Sequence, residues 1–434
     1  MQVLLAAAGE PWETDVVQSL QRPGSTLTLV RRCMDVPDAV ATAASGQADV
    51  VLFGPGLPGL DADAIARVRE AGSIAVGLVG SVAGSAEADP EGSARLQRLG
   101  VSCVLAWPDL DALPAALAAA DAAAADEDGA AYAGPRAGFR ADGLGVTGGG
   151  FGVEGSATPR GRMMAVWGPA GAPGRSTVAL GLAAELAERR VPTLLVDADV
   201  YGGAIAQMLA VLDEVSGLLA AARLANTGSL DLVALHGHIR EINPALRVLT
   251  GLPRADRWPQ LRPAALSQVL HVARQMAPTV VVDCGFCLEQ DEELSFDTAA
   301  PRRNGATLLV LEQADQILTV GAADPLGLSR LARGVLDLRE AVPGADLAVV
   351  LNRVRDGLGW SHDEIGETVH RFTGLTPAAF LPEDRAAIDK AWLGGRSLVE
   401  CAPDAPLRRA LRDLAADVGR LPAARRRRGR RRVR

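Results

Sequence analysis

The stretch Met163 to Thr177, MMAVWGPAGAPGRST, constrains this chain more than any other. An apolar run of strand length gives way to a loop carrying Gly168, Gly171 and Gly174. Arg175, Ser176 and Thr177 follow, and then the apolar helical pattern VALGLAAELAERR. Glycines let backbone N–H groups approach an anion, and a helix N-terminus adds the positive end of its dipole. Strand, glycine loop, hydroxyl pair and helix in that order form a phosphate cradle. The usual pattern is G-x-x-x-x-G-K-[ST]. Here Pro169 takes the first glycine position and Arg175 the lysine position. A plain Gly/Pro turn before a helix is the competing reading of the loop alone.

Two further segments weigh against that competing reading. Pro192–Asp199, PTLLVDAD, reads as a buried strand ending in Asp197 and Asp199, and Pro278–Asp283, PTVVVD, as another ending in an acid. A nucleoside triphosphatase needs acids at strand C-termini beside its loop, to hold Mg²⁺ and to orient an attacking water. A single Asp at a strand end is also an ordinary turn residue, so the order of the three segments carries the argument.

This order resembles the MinD/ParA family of P-loop ATPases, over about Arg162 to Leu421. The matching stretches are AGAPGRST, VDAD, VVVDCGF, LAVVLNR (Leu347–Arg353) and FLPEDRAAIDKAWLGGRSLVE (Phe380–Glu400). The resemblance implies ATP and Mg²⁺ as ligands, held by a nucleotide-dependent homodimer. Gly171, Gly174, Arg175, Ser176 and Thr177 would hold phosphate. Ser176, Asp197 and Asp283 would serve the metal, and Asp199 the attacking water. Asn352, Pro382 and Asp384 would lie near the adenine. The family carries a second lysine early in the loop, reaching the partner's nucleotide, and Ala170 stands there. The chain's single lysine, Lys390, lies outside the loop. Arg175 can pair bidentately with phosphate oxygens, but its planar fork need not place charge where an ammonium would. Phosphoryl transfer depends almost wholly on placed charge. The expectation is nucleotide binding with weak ATPase activity.

The N-terminal third reads as a second α/β unit. Gln2–Ala7, Ala48–Phe53, Ser73–Val79 and Val101–Trp107 are strand-like, and helical patterns such as Leu60–Ala71 and Leu110–Ala120 lie between them. That alternation indicates a doubly wound parallel sheet. Asp49–Ile65, DVVLFGPGLPGLDADAI, resembles the segment around the phospho-acceptor of response-regulator receivers, with Gly54 in place of the acceptor Asp. No acidic pair follows the first strand, Trp107–Pro108 replaces the Lys-Pro, and Ser81 falls near the switch hydroxyl. The expectation is a pseudo-receiver used for docking or dimerisation.

The fold class expected is therefore α/β: a receiver-like doubly wound domain (1–120), a flexible Ala/Gly/Asp-rich linker (121–161), a P-loop NTPase domain with a mostly parallel sheet (162–421) and a basic tail (422–434). This layout resembles the CpaE/TadZ group, which implies nucleotide-dependent positioning of a Flp/Tad-type pilus or secretion machine. A septum-site or cell-division regulator, a DNA-partition ATPase and a non-hydrolysing scaffold are the alternatives.

Charge divides unevenly. The formal net charge is −8, yet Arg425–Arg434 holds eight arginines, leaving the rest at −16. Such a tail adheres to polyanions, an anionic membrane surface or nucleic acid. Before it, Leu407, Leu411, Leu414, Val418 and Leu421 share one helical face, which either caps the domain or touches lipid. No apolar run reaches spanning length and no signal peptide is visible, so a cytoplasmic protein, at most peripheral at a membrane or cell pole, is expected. The five cysteines suggest no disulfide framework. The Cys284/Cys287 and His236/His238 pairs lack further ligands nearby in sequence.

Overall fold

The computed structural model describes residues 1–22, 25–80, 88–107, 109–113, 115, 160–211, 215–290 and 302–420. The expected linker, apart from residues 160 and 161, together with Ser81 and the arginine tail, lies outside them.

The N-terminal unit runs β1 (Gln2–Ala6), α1 (Glu13–Leu20), β2 (Thr28–Cys33), α2 (Val36–Ala44), β3 (Val50–Phe53), α3 (Ala62–Glu70), β4 (Ile74–Val79), α4 (Pro90–Arg98) and β5 (Cys103–Ala106). All neighbours pair in parallel, in the order β2-β1-β3-β4-β5. That is the flavodoxin-like doubly wound order. Local chemistry marks the helix starts. Asp35, Asp61 and Asp89 each accept a first-turn backbone N–H, and Pro37 and Pro90 sit just inside α2 and α4. Separate apolar clusters cover the two sheet faces, as a parallel sheet requires. Asp109–Ala112, overlapping the start of the expected helix 110–120, forms a short 3₁₀ turn.

The second unit continues with β6 (Arg162–Trp167), α5 (Arg175–Glu188), β7 (Thr193–Ala198), α6 (Ile205–Met208), α7 (Gly217–Asn226), α8 (Leu232–His236), β8 (Arg240–Asn243), β9 (Leu246–Leu249), α9 (Pro263–Met276) and β10 (Thr279–Cys284). Next come α10 (Gly305–Gln313), β11 (Gln316–Ala322), α11 (Pro325–Ala341), β12 (Leu347–Val354), α12 (His362–Thr373), β13 (Pro377–Pro382), α13 (Arg385–Gly394), α14 (Leu398–Cys401) and α15 (Pro406–Arg420). The sheet order is β13-β12-β11-β6-β10-β7-β9-β8. Every neighbouring pair is parallel except the β8–β9 hairpin at one edge. The central strands β7, β10 and β11 are buried along their whole length, which is why the β7 and β10 segments stand out in the sequence as apolar runs ending in acids. Among the described residues no helix is long and apolar enough to cross a membrane.

The amphipathic C-terminal helix caps this unit. Leu407, Leu411, Leu414 and Val418 of α15 are all buried, in the cluster formed by α5 and the sheet. Burying each such side chain contributes about 1.5–3 kcal/mol. Gly181 of α5 admits Leu411, since a Cβ there would fall 2.5 Å from Leu411 Cδ1. At its far end, Arg162 Nη1 donates to Val418 O at 2.6 Å.

The two units touch through α3 and α4 on one side and α7 and α9 on the other. Arg98 Nε donates to Gly228 O at 2.5 Å, Asn226 Nδ2 to Asp61 Oδ2 at 3.1 Å, and Arg262 pairs with Asp63 at 3.8 Å. Gly228 has φ +71, and a Cβ there would stand 3.0 Å from Leu99 Cγ, so glycine serves both the turn and the close approach.

Candidate phosphate-binding site

Topology sets the site. Strand β6 lies between β11 and β10, with β7 beyond β10, so the loop after β6 opens at the C-terminal edge of the sheet beside the ends of those strands. Open parallel sheets bind ligands in that crevice. Gly168 leaves β6 where no side chain fits, because a Cβ would lie 2.2 Å from Val320 O. Gly171 (φ +107), Ala172 (φ +51) and Gly174 (φ +97) take left-handed backbone, which curls successive N–H groups into a concave cradle. Gly174 is the N-cap of α5 and provides no side-chain acceptor, so the first-turn N–H groups are left for an anion.

The acids fall beside it. In strand pairing Asp283 of β10 is opposite Val166 of β6 on one side and Asp197 of β7 on the other. Their surroundings differ sharply. Asp197 is held by the backbone N–H groups of Ile205 (3.2 Å) and Asp199 (3.3 Å). Burial nevertheless pushes its carboxyl up to about 7, with the Asp199 charge adding to the shift. Asp199 accepts from the N–H groups of Tyr201 and Gly202 and pairs with Arg175 at 3.5 Å. Asp283 is fully buried, and neither carboxylate oxygen has a hydrogen-bond partner. Burial first, and then the Asp197 charge, raise its pKa well above the usual carboxylate range, while nearby Ser176 pulls the other way.

Arg175 turns inward. Its Nε donates to Cys284 O (3.2 Å), Nη1 to Gly168 O (3.2 Å) and Pro169 O (3.3 Å), and Nη2 reaches Asp199. Ser176 and Thr177 stand half-buried at the start of α5. Asn352, at the end of β12, is buried and donates through Nδ2 to Pro173 O at 2.7 Å, so it braces the loop. A Cβ on Gly174 would lie 2.3 Å from that Nδ2. Pro382 ends β13 and is paired with Val354 of β12; Asp384 caps α13 through Ala387 N. The sequence-derived site residues therefore share one edge of one sheet.

Other residues here were not anticipated as part of the site. Arg330 of α11 lies over Gly171, with Nη1 2.3 Å from the position a Cβ would occupy. Tyr201 and Phe286 pack ring to ring at 4.9 Å beside the acids, and Tyr201 Oη bonds Asn304 Oδ1 at 2.6 Å. Cys284 is buried and Cys287 accepts from Asn304 Nδ2, and both thiols are free. Among the described residues no cluster of three or more His, Cys, Asp or Glu side chains is arranged around a metal position. Mg²⁺ takes few protein ligands and draws the rest from phosphate and water.

The N-terminal unit has a corresponding crevice, and it is filled. Trp12 is buried at the ends of β3 and β4. A Cβ on Gly54 would meet Ala7 Cβ at 3.1 Å and Trp12 Cη2 at 3.4 Å, and one on Gly80 would meet Trp12 Cδ1 at 2.7 Å. Glu10, the nearest acid, accepts from Gly56 N at 2.8 Å.

No protein-family model matches the sequence, and no curated protein matches it. Solved structures do. The ParA family ATPase of Chlorobium tepidum TLS superposes with a TM-score of 0.51 at 21% identity, covering 59% of this chain and 98% of that one. The septum site-determining protein MinD of Pyrococcus horikoshii OT3, solved with Mg-ADP, matches at 0.46 and 19%, covering 60% of this chain and 96% of that one. The apo McdA of Cyanthece matches at 0.46 and 15%, covering 59% and 99%. The structural neighbours are thus MinD/ParA-type ATPases, and over about three-fifths of its length this chain has the fold of the ParA family ATPase.

Proposed function

We propose that this protein is a nucleotide-dependent positioning ATPase, binding Mg·ATP in the Gly168–Thr177 cradle and acting as a homodimer. One observation carries the reading most strongly: a fully buried, unpartnered carboxylate, Asp283, sits on the strand beside the cradle strand. Such a group is costly unless something binds it. Asp283 and Ser176 would hold a Mg²⁺ ion, whereas the Asp197 oxygens already accept from backbone N–H groups. The ion, when bound, neutralises charge on the phosphates. Asp199 is tied to Arg175, so it must exchange that partner before it can orient a water, and turnover by the isolated chain is slow or partner-dependent. Titration calorimetry of the full chain with ATP and Mg²⁺ tests the proposal. Saturable binding is expected, and no heat at millimolar ATP would remove the ATPase reading and leave a scaffold.

The finer proposal is a cytoplasmic CpaE/TadZ-like protein positioning a Flp/Tad-type pilus or secretion machine, with residues 1–120 as pseudo-receiver and Arg425–Arg434 adhering to an anionic membrane surface or nucleic acid. The motif order and the arginine tail support it. For the N-terminal unit the support is Trp12: phosphoryl acceptance needs a carboxylate and space around it, and an indole occupies that space. Incubation with acetyl phosphate and Mg²⁺ is therefore expected to leave residues 1–120 unchanged in mass. A phosphorylated Asp49 or Asp61 would show that the domain still receives.

A further inference from the structure

The cradle has no free cation of its own. Arg175 spends its guanidinium on three backbone carbonyls and Asp199, and Ala170 carries no charge. A cation nevertheless reaches the loop from another element. Arg330, on the second turn of α11, stands against Gly171. It is exposed, and among the described residues it has no ion-pair partner. Arg353, near the end of β12, lines the same cleft. Arg353 is held at φ +58, a backbone region that non-glycine residues seldom adopt, so its position is imposed by the fold. The acid in the cleft, Asp324, is occupied in capping α11 through Gly327 N at 2.8 Å. The cleft measures about 80 Å³ and is walled by Pro169, Ala170, Gly171 and Pro173 of the loop. That is the scale of a phosphoryl group and well short of the roughly 300 Å³ at which whole-ligand pockets begin.

Two arginines lining a phosphoryl-sized space at the mouth of a phosphate loop bring to it positive charge that the loop itself lacks. We propose that Arg330, with Arg353 beside it, is the phosphate-binding cation of this site, engaging the terminal phosphoryl oxygens of a nucleoside triphosphate from α11. The proposal rests on the nucleotide reading above and adds to it a residue outside the loop motif. On this proposal Arg330 distinguishes tri- from diphosphate, because the group it engages is the one a diphosphate lacks. A guanidinium fork suits this, since it binds phosphate through two parallel hydrogen bonds.

The test uses the full chain and three probes: Mg·ATP, Mg·ADP and inorganic tripolyphosphate. Arg330→Ala is expected to weaken ATP binding about tenfold or more and ADP binding less than about threefold, as a charge-assisted bidentate contact implies. Arg330→Lys should recover part of the loss. Arg339→Ala, near the far end of α11, controls for net charge and should change neither. Arg330 is exposed, so the variant should fold, and an unchanged thermal midpoint would confirm it. ATP affinity within about twofold of wild type in Arg330→Ala would overturn the proposal. Tripolyphosphate separates the two readings. Wild type that binds tripolyphosphate but not ATP, and loses it in Arg330→Ala, keeps the anion site and ends the nucleotide reading. Wild type that binds neither ends both.

Discussion

Replacing Arg408 by alanine is expected to lower the unfolding free energy by about 3–5 kcal/mol, the cost of stranding a buried charge. Its partner Glu185 is only 1% exposed, lies on the helix that starts at the phosphate loop, and accepts from Arg408 Nε at 2.8 Å. Even with that partner, burial raises the Glu185 pKa, and its Oε2 has no hydrogen bond. Removing Arg408 leaves the carboxylate among apolar neighbours, while a joint Glu185→Met/Arg408→Met change should return stability to near wild type or above. Denaturant unfolding of the three proteins measures this. A loss below about 1 kcal/mol for Arg408→Ala would mean that α15 peels away from α5 easily, and would reopen the possibility that its leucines seek lipid.

Asp283→Asn should move stability in the opposite direction. The wild-type carboxylate is buried without a partner, and its proton is held more tightly in the folded chain than in the unfolded one. A raised folded pKa contributes stability below the unfolded value near pH 4, and that contribution is lost as pH rises, at up to about 1.4 kcal/mol per pH unit. Without nucleotide or Mg²⁺, the amide variant should be more stable than wild type at pH 8, on the order of 1–3 kcal/mol, and the gap should narrow toward pH 5. The same variant should lose the Mg²⁺-dependent part of ATP binding. Thermal melts across that pH range, paired with ATP titrations, check both halves. A variant less stable than wild type at every pH would show that the carboxylate has a structural role, and would remove the strongest support for the nucleotide reading.

What was legible in the sequence follows from burial. Strands β6, β7 and β10 are covered on both faces, so MMAVW, TLLVDA and TVVVDC stand out as apolar runs with an acid or a glycine at the end. Strand β2 escaped notice because it is an edge strand. TLVRRC is exposed along most of its length and alternates too weakly to be told from a loop. The edge hairpin strand β8, REIN, is hidden for the same reason. Within the site, the loop and the acids could be found because their chemistry is local to a motif. Arg330 could not, because on a one-dimensional reading it is one more charge on a solvated helix face, and only the packing of α11 against β11 brings it to Gly171. Trp12 likewise lies far along the chain from Gly54 and Gly80, the two positions whose space it fills.

The bond from Arg162 to Val418 ties the last turn of α15 to the first residue of β6, the end of the sheet remote from the phosphate loop. The chain that arrives from residue 160 enters at this same end, where Gly161 N bonds Arg274 O at 2.7 Å. Residue 160 and the last turn of α15, where the described chain of this unit begins and ends, thus lie at the end of its sheet opposite the crevice. The crevice is therefore left clear of both points at which the chain enters and leaves this unit.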